Sequence, residues 1–428
     1  MGTGFRAQLF TVGLASRPAY EVVALCDPSP TRMAFHNRLL TEHGRPAART
    51  WQPGEFDRLL DEVAPDLVVV TSTDATHDTY IVPALRAGAR VITEKAMTTD
   101  AAKARRVMAA VAQSRGSLHV AFNYRFNPVH AKVRELLAGG AIGEIGSVHF
   151  EWLLDVHHGA DYFRRWHRER AHSGGLLVHK ASHHFDLVNW WLGGRPRVVY
   201  GQGRLAFYGD SGAGARQGYA RDYPRAHESP AAADDPFALH LVDNPGLRGL
   251  YLDAEADSGY LRDQNVFGAG ITIEDDMAVL VEYDTGASMT YHLTAYSPWE
   301  GYRVMFNGSR GRLELEVAET AWTRPGQRVE SDKGALHGDL AAESAGEPRI
   351  LLRPLWGRPA VVDLPPYDHA GHGGGDQRML AALLDDDAPQ AEDRAGAHDG
   401  LMALLPGLAA NESIRTGRAI EIDSLLAA

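Results

Sequence analysis

Cysteine is nearly absent from this chain: Cys26 is the only one among 428 residues. A single thiol cannot close an internal disulfide, which excludes a disulfide-stapled scaffold and suits a reducing compartment. Long apolar runs are missing too. None approaches the roughly 20 residues that a membrane helix requires. The opening residues Gly2-Thr3-Gly4-Phe5-Arg6 supply neither the basic n-region nor the apolar h-region of an export signal. Positive charge is outweighed, with 43 Lys and Arg against 55 Asp and Glu and a formal net charge of −12. That balance argues against a nucleic-acid partner while leaving room for a local basic pocket. Together these absences predict a cytoplasmic globular protein with neither nucleic acid nor membrane as partner. The remaining composition is ordinary, 44% hydrophobic and 23% charged. The length exceeds what one hydrophobic core usually holds, so two domains are expected.

Residues 1–122 alternate strand and helix. Glu21–Leu25 is a short apolar run closed by Cys26-Asp27-Pro28, and Thr31–Glu42 reads as a helix with Thr31 as N-cap. Glu55–Val63 places Phe56, Leu59, Leu60 and Val63 on one helical face. Leu67–Val70, Arg90–Thr93 and Leu118–Phe122 read as strands, with helices at Thr79–Ala87 and Thr99–Gln113 between them. Such alternation predicts a parallel, doubly wound sheet. Ahead of it, Gly2-Thr3-Gly4-Phe5-Arg6-Ala7 matches G-x-G-x-x-A. The glycines permit a tight turn and close backbone approach to a pyrophosphate, whose charge a helix N-terminus attracts. Asp27 ends the next strand about 20 residues on, where an acid binds both hydroxyls of an adenosine ribose. The strand that should precede Gly2 is missing. A start upstream, another segment filling the slot, or a degraded nucleotide site would each account for the gap.

After Phe122 the texture changes. Val129–Leu137 reads as a helix and Ile145–Leu153 as a strand, and Gly174–Trp191 contains a helix rich in histidine and aromatics. Alternating runs at Arg197–Tyr200, Met277–Tyr283, Ser288–Leu293, Arg303–Phe306 and Arg312–Val317 predict a largely antiparallel sheet in residues 123–428. Gly209–Asp234 and Glu319–Glu347 look like polar insertions, and Leu401–Arg415 is a final helix.

The order of several short motifs carries a family resemblance. They are the glycine turn at Gly2–Ala7, Asp27, Thr71-Ser72-Thr73 with His77, Glu94-Lys95, Asn123-Tyr124-Arg125, Gly174-Gly175 through Asp186, Asp399-Gly400-Leu401, and Asn411-Glu412-Ser413. With this set the chain resembles the Gfo/Idh/MocA oxidoreductases over nearly its whole length. The resemblance implies a Rossmann domain followed by an α/β domain with an open, mostly antiparallel sheet. It implies NAD or NADP as cofactor, a sugar or cyclitol as substrate, and dimers or tetramers formed through the sheet face. It places Gly2, Gly4, Phe5, Arg6, Asp27, Thr71, Thr73, His77, Glu94 and Lys95 at the cofactor. The chain departs from the family pattern at the missing strand, at Glu94-Lys95-Ala96 where relatives have Glu-Lys-Pro, and at His179, where many relatives carry Asp four residues before the active-site histidine.

Hydride transfer from an alcohol carbon needs a group to take the hydroxyl proton and another to steady the oxyanion. Lys95 follows a buried strand at the carboxyl end of the sheet, where ligands bind in such folds. His183 is the expected general base, with Asp186 three residues on to orient it, and positions 179, 183 and 186 share a face if the segment is one helix. Lys95, His183 and His179 are therefore the catalytic candidates. Asn123 and Arg125 at the domain junction, and Trp152, Tyr162, Arg164, Arg165, Trp166 and His167, offer aromatic faces and donors to a carbohydrate. Lys180 and His184 are further substrate candidates, although His184 points about 100° away from His183 on an ideal helix. His369 and His372, with Gly373-Gly374-Gly375-Asp376, form a loop that reaches the same region. The histidines between His157 and His184 raise a metal site, and His179 and His183 have zinc-type spacing. No cysteine helps and no H-E-x-x-H occurs, so a polyol pocket without metal is expected. Asp27 favours NAD, and Arg32 nearby leaves NADP open. Two other classes fit the same residues: a lyase or glycoside hydrolase that oxidises its sugar transiently with retained NAD, and a non-catalytic binding protein with a vestigial nucleotide site.

Overall fold

The computed structural model describes residues 1–323, 346–365, 367, 372–385 and 387–427. Its first layer holds short parallel strands. β1 (Ala24–Cys26) pairs with β2 (Arg49–Trp51). Beside them β3 (Leu67–Val70), β4 (Arg90–Thr93) and β5 (Ser117–Val120) run parallel in that order. The slot between β1 and β3 holds Met1 and Gly2. The Met1 amine donates to the Val69 carbonyl at 2.6 Å, Thr71 N donates to Met1 O at 2.8 Å, and Gly2 N donates to Cys26 O at 2.9 Å. No other segment among the described residues forms a strand there.

Helices cover both faces of this layer. α1 (Ala7–Ala15) follows the glycine turn, and α2 (Pro30–Glu42) follows β1. The N-cap of α2 is Ser29, whose hydroxyl accepts from Arg32 N at 3.1 Å, rather than Thr31. Pro30 at the first helical position fixes that start, because its missing N–H needs no partner there. α3 (Phe56–Val63), α4 (His77–Arg86) and α5 (Ala101–Gln113) complete the alternation.

The second layer is a nine-stranded sheet. β6 (Ile145–Asp155) and β9 (Ser288–Ser297) form its parallel pair, and the other pairings are antiparallel. β8 (Asp276–Tyr283) shows the cause of its one-sided burial: Met277, Val279, Val281 and Tyr283 are buried while the alternate positions face outward. Against the inner face pack α6 (Pro128–Ala138) and the histidine-rich segment. The latter is two helices, α8 (Leu176–His179) and α9 (Ser182–Leu192), broken at Lys180-Ala181. In the chain, α7 (Val156–Arg164) follows β6 and precedes α8.

The chain then returns to the first layer. β10 (Ala395–Gly396) pairs antiparallel with β5. α10 (Gly375–Leu384) buries Met379, Leu380 and Leu383 against Phe10, Ile92 and Phe126. α11 (Ala397–Thr416) is longer than the expected final helix. The polar stretch expected at Gly209–Asp234 belongs to a longer excursion, 205–275, between β7 (Pro196–Arg204) and β8. Much of Glu319–Glu347, and His369, lie outside the described residues.

Candidate active site

At the carboxyl ends of β3 and β4 the two layers meet. Asp74 opens a short 3-10 turn just after β3, and Lys95 follows β4. His179, the last residue of α8, stands between them. Its Nδ1 is 2.5 Å from Asp74 Oδ2, and its Nε2 is 3.1 Å from Lys95 Nζ, which also donates to the His179 carbonyl at 3.1 Å. A neutral imidazole fits this line with its Nδ1–H donated to the carboxylate and its Nε2 lone pair turned to the ammonium. Burial pushes the Asp74 carboxyl well up, against the pull of Lys95.

Around this line the walls are aromatic. Tyr124 stacks on His183 at 4.4 Å between centroids, and Lys180 Nζ donates to the Tyr124 hydroxyl at 3.1 Å while standing 4.5 Å over the Trp152 ring. His167 meets His179 edge-on at 4.1 Å and stacks on Trp166 at 3.5 Å. Burial holds the His183 and His167 imidazoles well below the usual histidine range. Lys95 and Lys180 add to this at His183, and Arg165, His179 and Lys95 at His167. Both rings therefore stay neutral, and neither Nδ1 has a hydrogen-bond partner among the described residues.

The glycine turn fits a dinucleotide. Gly2 has φ +84°, and a Cβ there would lie 2.5 Å from Ser72 N, so only glycine brings the turn this close to β3. The N-terminus of α1 carries no side-chain cap, and the Ala7, Gln8 and Leu9 amides donate instead to the Gly4, Phe5 and Arg6 carbonyls at 3.1, 3.1 and 3.3 Å. Asp27 is held by Thr3 N at 2.7 Å and Ser29 N at 2.8 Å.

Comparison with known proteins identifies both layers. The model for an oxidoreductase family, NAD-binding Rossmann fold, matches residues 1–122, and the model for the same family's C-terminal alpha/beta domain matches residues 134–422. The chain belongs to the Gfo/Idh/MocA oxidoreductase family. It is 34% identical over 412 residues to the Bacillus subtilis (strain 168) protein named "Putative oxidoreductase YteT", covering 91% of this chain and 88% of that one. An inositol 2-dehydrogenase of Gluconacetobacter diazotrophicus is 31% identical over 169 residues, 38% of this chain and 47% of that protein. Among solved structures, the aldose-aldose oxidoreductase of Caulobacter crescentus complexed with glycerol shares the fold, with TM-score 0.62 and 17% identity over 98% of each chain.

Within this Gfo/Idh/MocA chain, several expected site residues serve the scaffold. Arg6 donates to Glu94 at 2.6 Å and to Asp376 at 2.8 Å. Asp376 also takes Asn123 Nδ2 at 2.8 Å and lies 3.0 Å from His372 Nδ1, so this network ties the glycine turn to α10. The His77 ring nitrogens lie 2.8 and 3.0 Å from the Ala96 and Ser72 carbonyls, and the Thr71 hydroxyl donates to Gly2 O at 2.7 Å. Thr73 precedes the turn that carries Asp74. The Lys95–Ala96 peptide is cis.

The expectation that Asp186 orients His183 is corrected. Arg125 grips both Asp186 oxygens at 2.8 and 2.6 Å although His183 and Asp186 share α9, and the break at Lys180-Ala181 takes His179 off that helix. That pair is buried. Replacing Arg125 with Ala is expected to cost about 3–5 kcal/mol, since it strands a buried carboxylate. Urea unfolding would read this, and a loss below about 1 kcal/mol would contradict it. His184 also departs from its expected place: its Nδ1 is 2.7 Å from the Tyr291 hydroxyl and its ring stacks on Trp152, which stacks on Tyr302 in turn. Tyr162 is fully buried with Arg165 5.4 Å over its ring, and Arg165 reaches Asp161 at 3.1 Å. Asp74 itself was missed. Its signal is an acid in the turn closing a buried parallel strand. Among the described residues no group of three or more His, Cys, Asp or Glu forms a metal-holding cluster, and no helix is long and apolar enough to cross a membrane.

Proposed function

We propose that the chain is a sugar or cyclitol dehydrogenase that moves a hydride between a nicotinamide and a hydroxyl or keto carbon. The observation that carries this reading is the Asp74–His179–Lys95 line beside the glycine turn. Bound nicotinamide would supply the hydride acceptor or donor. Gly2, Gly4, Phe5, Asp27, Thr71 and Thr73 would hold that cofactor through the glycine turn and the ribose acid.

Lys95 faces the reacting oxygen and takes or returns its proton. His179 Nε2, 3.1 Å away, relays that proton, and Asp74 stabilises the imidazolium that results. The ammonium of Lys95 also steadies negative charge on the oxygen. His183 and His167, kept neutral, line the pocket with Tyr124 and Trp166 stacked on them. Trp166, half-buried against His167, gives an apolar face to sugar C–H groups. Lys180 approaches from the Trp152 side. Sugar and inositol dehydrogenases among the relatives support the substrate class. We take residues 1–122 as the nucleotide domain and 123–428 as the substrate domain, assembled as a homodimer or homotetramer through the outer sheet face. The lone buried Cys26 suits a cytoplasmic setting.

The test is to denature the purified protein, assay the supernatant for NAD(H) and NADP(H), and follow nicotinamide reduction with a panel of aldoses and inositols. Released or titrated dinucleotide, together with substrate-dependent reduction, is the expected result. Failure to bind either nicotinamide dinucleotide would overturn the proposal.

A further inference from the structure

The excursion 205–275 returns across the nucleotide domain rather than ending in solvent. Leu241, Leu247, Leu250 and Tyr251 form a small core with Phe5 of the glycine turn and Phe35 of α2 packed on it. The Tyr251 hydroxyl accepts from Phe5 N at 3.2 Å. Farther along, Asp257 Oδ2 accepts from the Ser29 hydroxyl at 2.6 Å and from Thr31 N at 3.0 Å. Those donors form the β1–α2 turn, next to the Asp27 that faces an adenosine ribose.

Arg32 is engaged by the same segment. Its Nε donates to Leu250 O at 3.1 Å and its Nη2 to Ser258 Oγ at 3.3 Å. Its guanidinium stands 5.8 Å from the centroids of both the Tyr251 and Tyr260 rings, and Nη1 is 3.7 Å from Asp27 Oδ1. In dinucleotide folds an arginine at this place accommodates a 2′-phosphate, and turn hydroxyls and amides can add to its grip. Here the cation is committed to the excursion, and a carboxylate already takes the turn's donors.

We infer that Asp257, brought in by the 205–275 excursion, is a specificity-determining residue that makes the nucleotide site select NAD over NADP. This rests on the nicotinamide reading above. A 2′-hydroxyl leaves Asp257 on Ser29 and Thr31 undisturbed. A 2′-phosphate brings about two negative charges towards Asp257 and Asp27 and finds its donors occupied, and like charges so placed repel strongly.

The experiment is equilibrium binding of NAD and NADP by calorimetry, with adenosine 5′-monophosphate and its 2′-phosphorylated counterpart as probes of the adenosine half alone. The wild-type chain is expected to bind NAD at least about tenfold more tightly than NADP. Asp257→Ser is expected to tighten NADP about tenfold while shifting NAD by less than about threefold. Asp257 is exposed, so the variant keeps its fold, and circular dichroism checks that. Equal affinities in the wild type, or an unchanged NAD-to-NADP ratio in Asp257→Ser, would overturn this inference and leave the dehydrogenase reading standing. A chain that binds neither dinucleotide would overturn both.

Discussion

Replacing Lys95 with methionine is expected to lower kcat by about 10²–10⁴-fold on any polyol that the wild type oxidises, because positioned acid–base groups contribute on that scale. Methionine keeps the length of the side chain and removes its proton and charge. His179 keeps its bond to Asp74, so the pocket keeps its shape. Lys95 is half-buried, and losing its bonds to the His179 ring and carbonyl should cost about 1–3 kcal/mol of stability at most. Replacing His179 with Asn should also lower kcat, through loss of the relay. The discriminating comparison is the double variant. If Lys95 and His179 move one proton, the double variant loses little more than the worse single, since residues acting as a unit are not additive. Losses that multiply would assign the residues independent roles. A Lys95→Met enzyme with wild-type kcat would remove Lys95 from the chemistry.

Stability is expected to fall steeply between pH 6.5 and about 4, the interval set by His36 and His130, whose burial lowers both from 6.5 to about 4. The His36 Nδ1 lies 2.8 Å from the Thr11 hydroxyl, joining α2 to α1. His130 Nδ1 is 2.8 Å from Tyr124 O, and its Nε2 is 2.6 Å from the Tyr302 hydroxyl. The unfolded chain binds these protons near pH 6.5, whereas the folded chain resists them until about pH 4. Stability from this source is therefore complete above the upper limit and is lost as pH falls through the window. At 1.36 kcal/mol per unit, each group contributes roughly 3 kcal/mol to that loss. His77, His167 and His183 are lowered in the same direction and add to it. Urea midpoints above and within the window would measure the slope. His36→Gln should flatten it by about one proton's worth. Identical slopes for the variant and the wild type would refute the assignment.

How much of this was legible in the sequence depended on the range of the interaction. β3 and β4 have the boundaries that their apolar runs announce, because strands buried in a parallel sheet need continuous apolar sequence. The glycine turn and Asp27 were legible because their spacing is local. The Ser29 cap was also legible through Pro30, although Thr31 presents a similar hydroxyl two residues on. The partner of Asp186 was not legible. Helical spacing offered His183, while Arg125, which lies 61 residues earlier, takes both oxygens. Asp74 meets His179 across 105 residues, a pairing that no local pattern encodes. The reach of 205–275 onto Phe5 and Phe35 was hidden for the same reason. Its short helical turns lack the periodicity that marks a longer amphipathic element.

The return of the chain to its first layer bears on how the molecule is made. During synthesis, residues 1–122 leave the ribosome long before α10 and β10 exist. Until then one face of the nascent sheet exposes Phe10 and Ile92, and β5 offers Ser117–Val120 as an open edge. Open edges and bare apolar faces are the surfaces by which incomplete chains associate wrongly. The nucleotide half is thus finished by residues far along the chain, and residues 1–122 alone lack part of that core and one strand pairing.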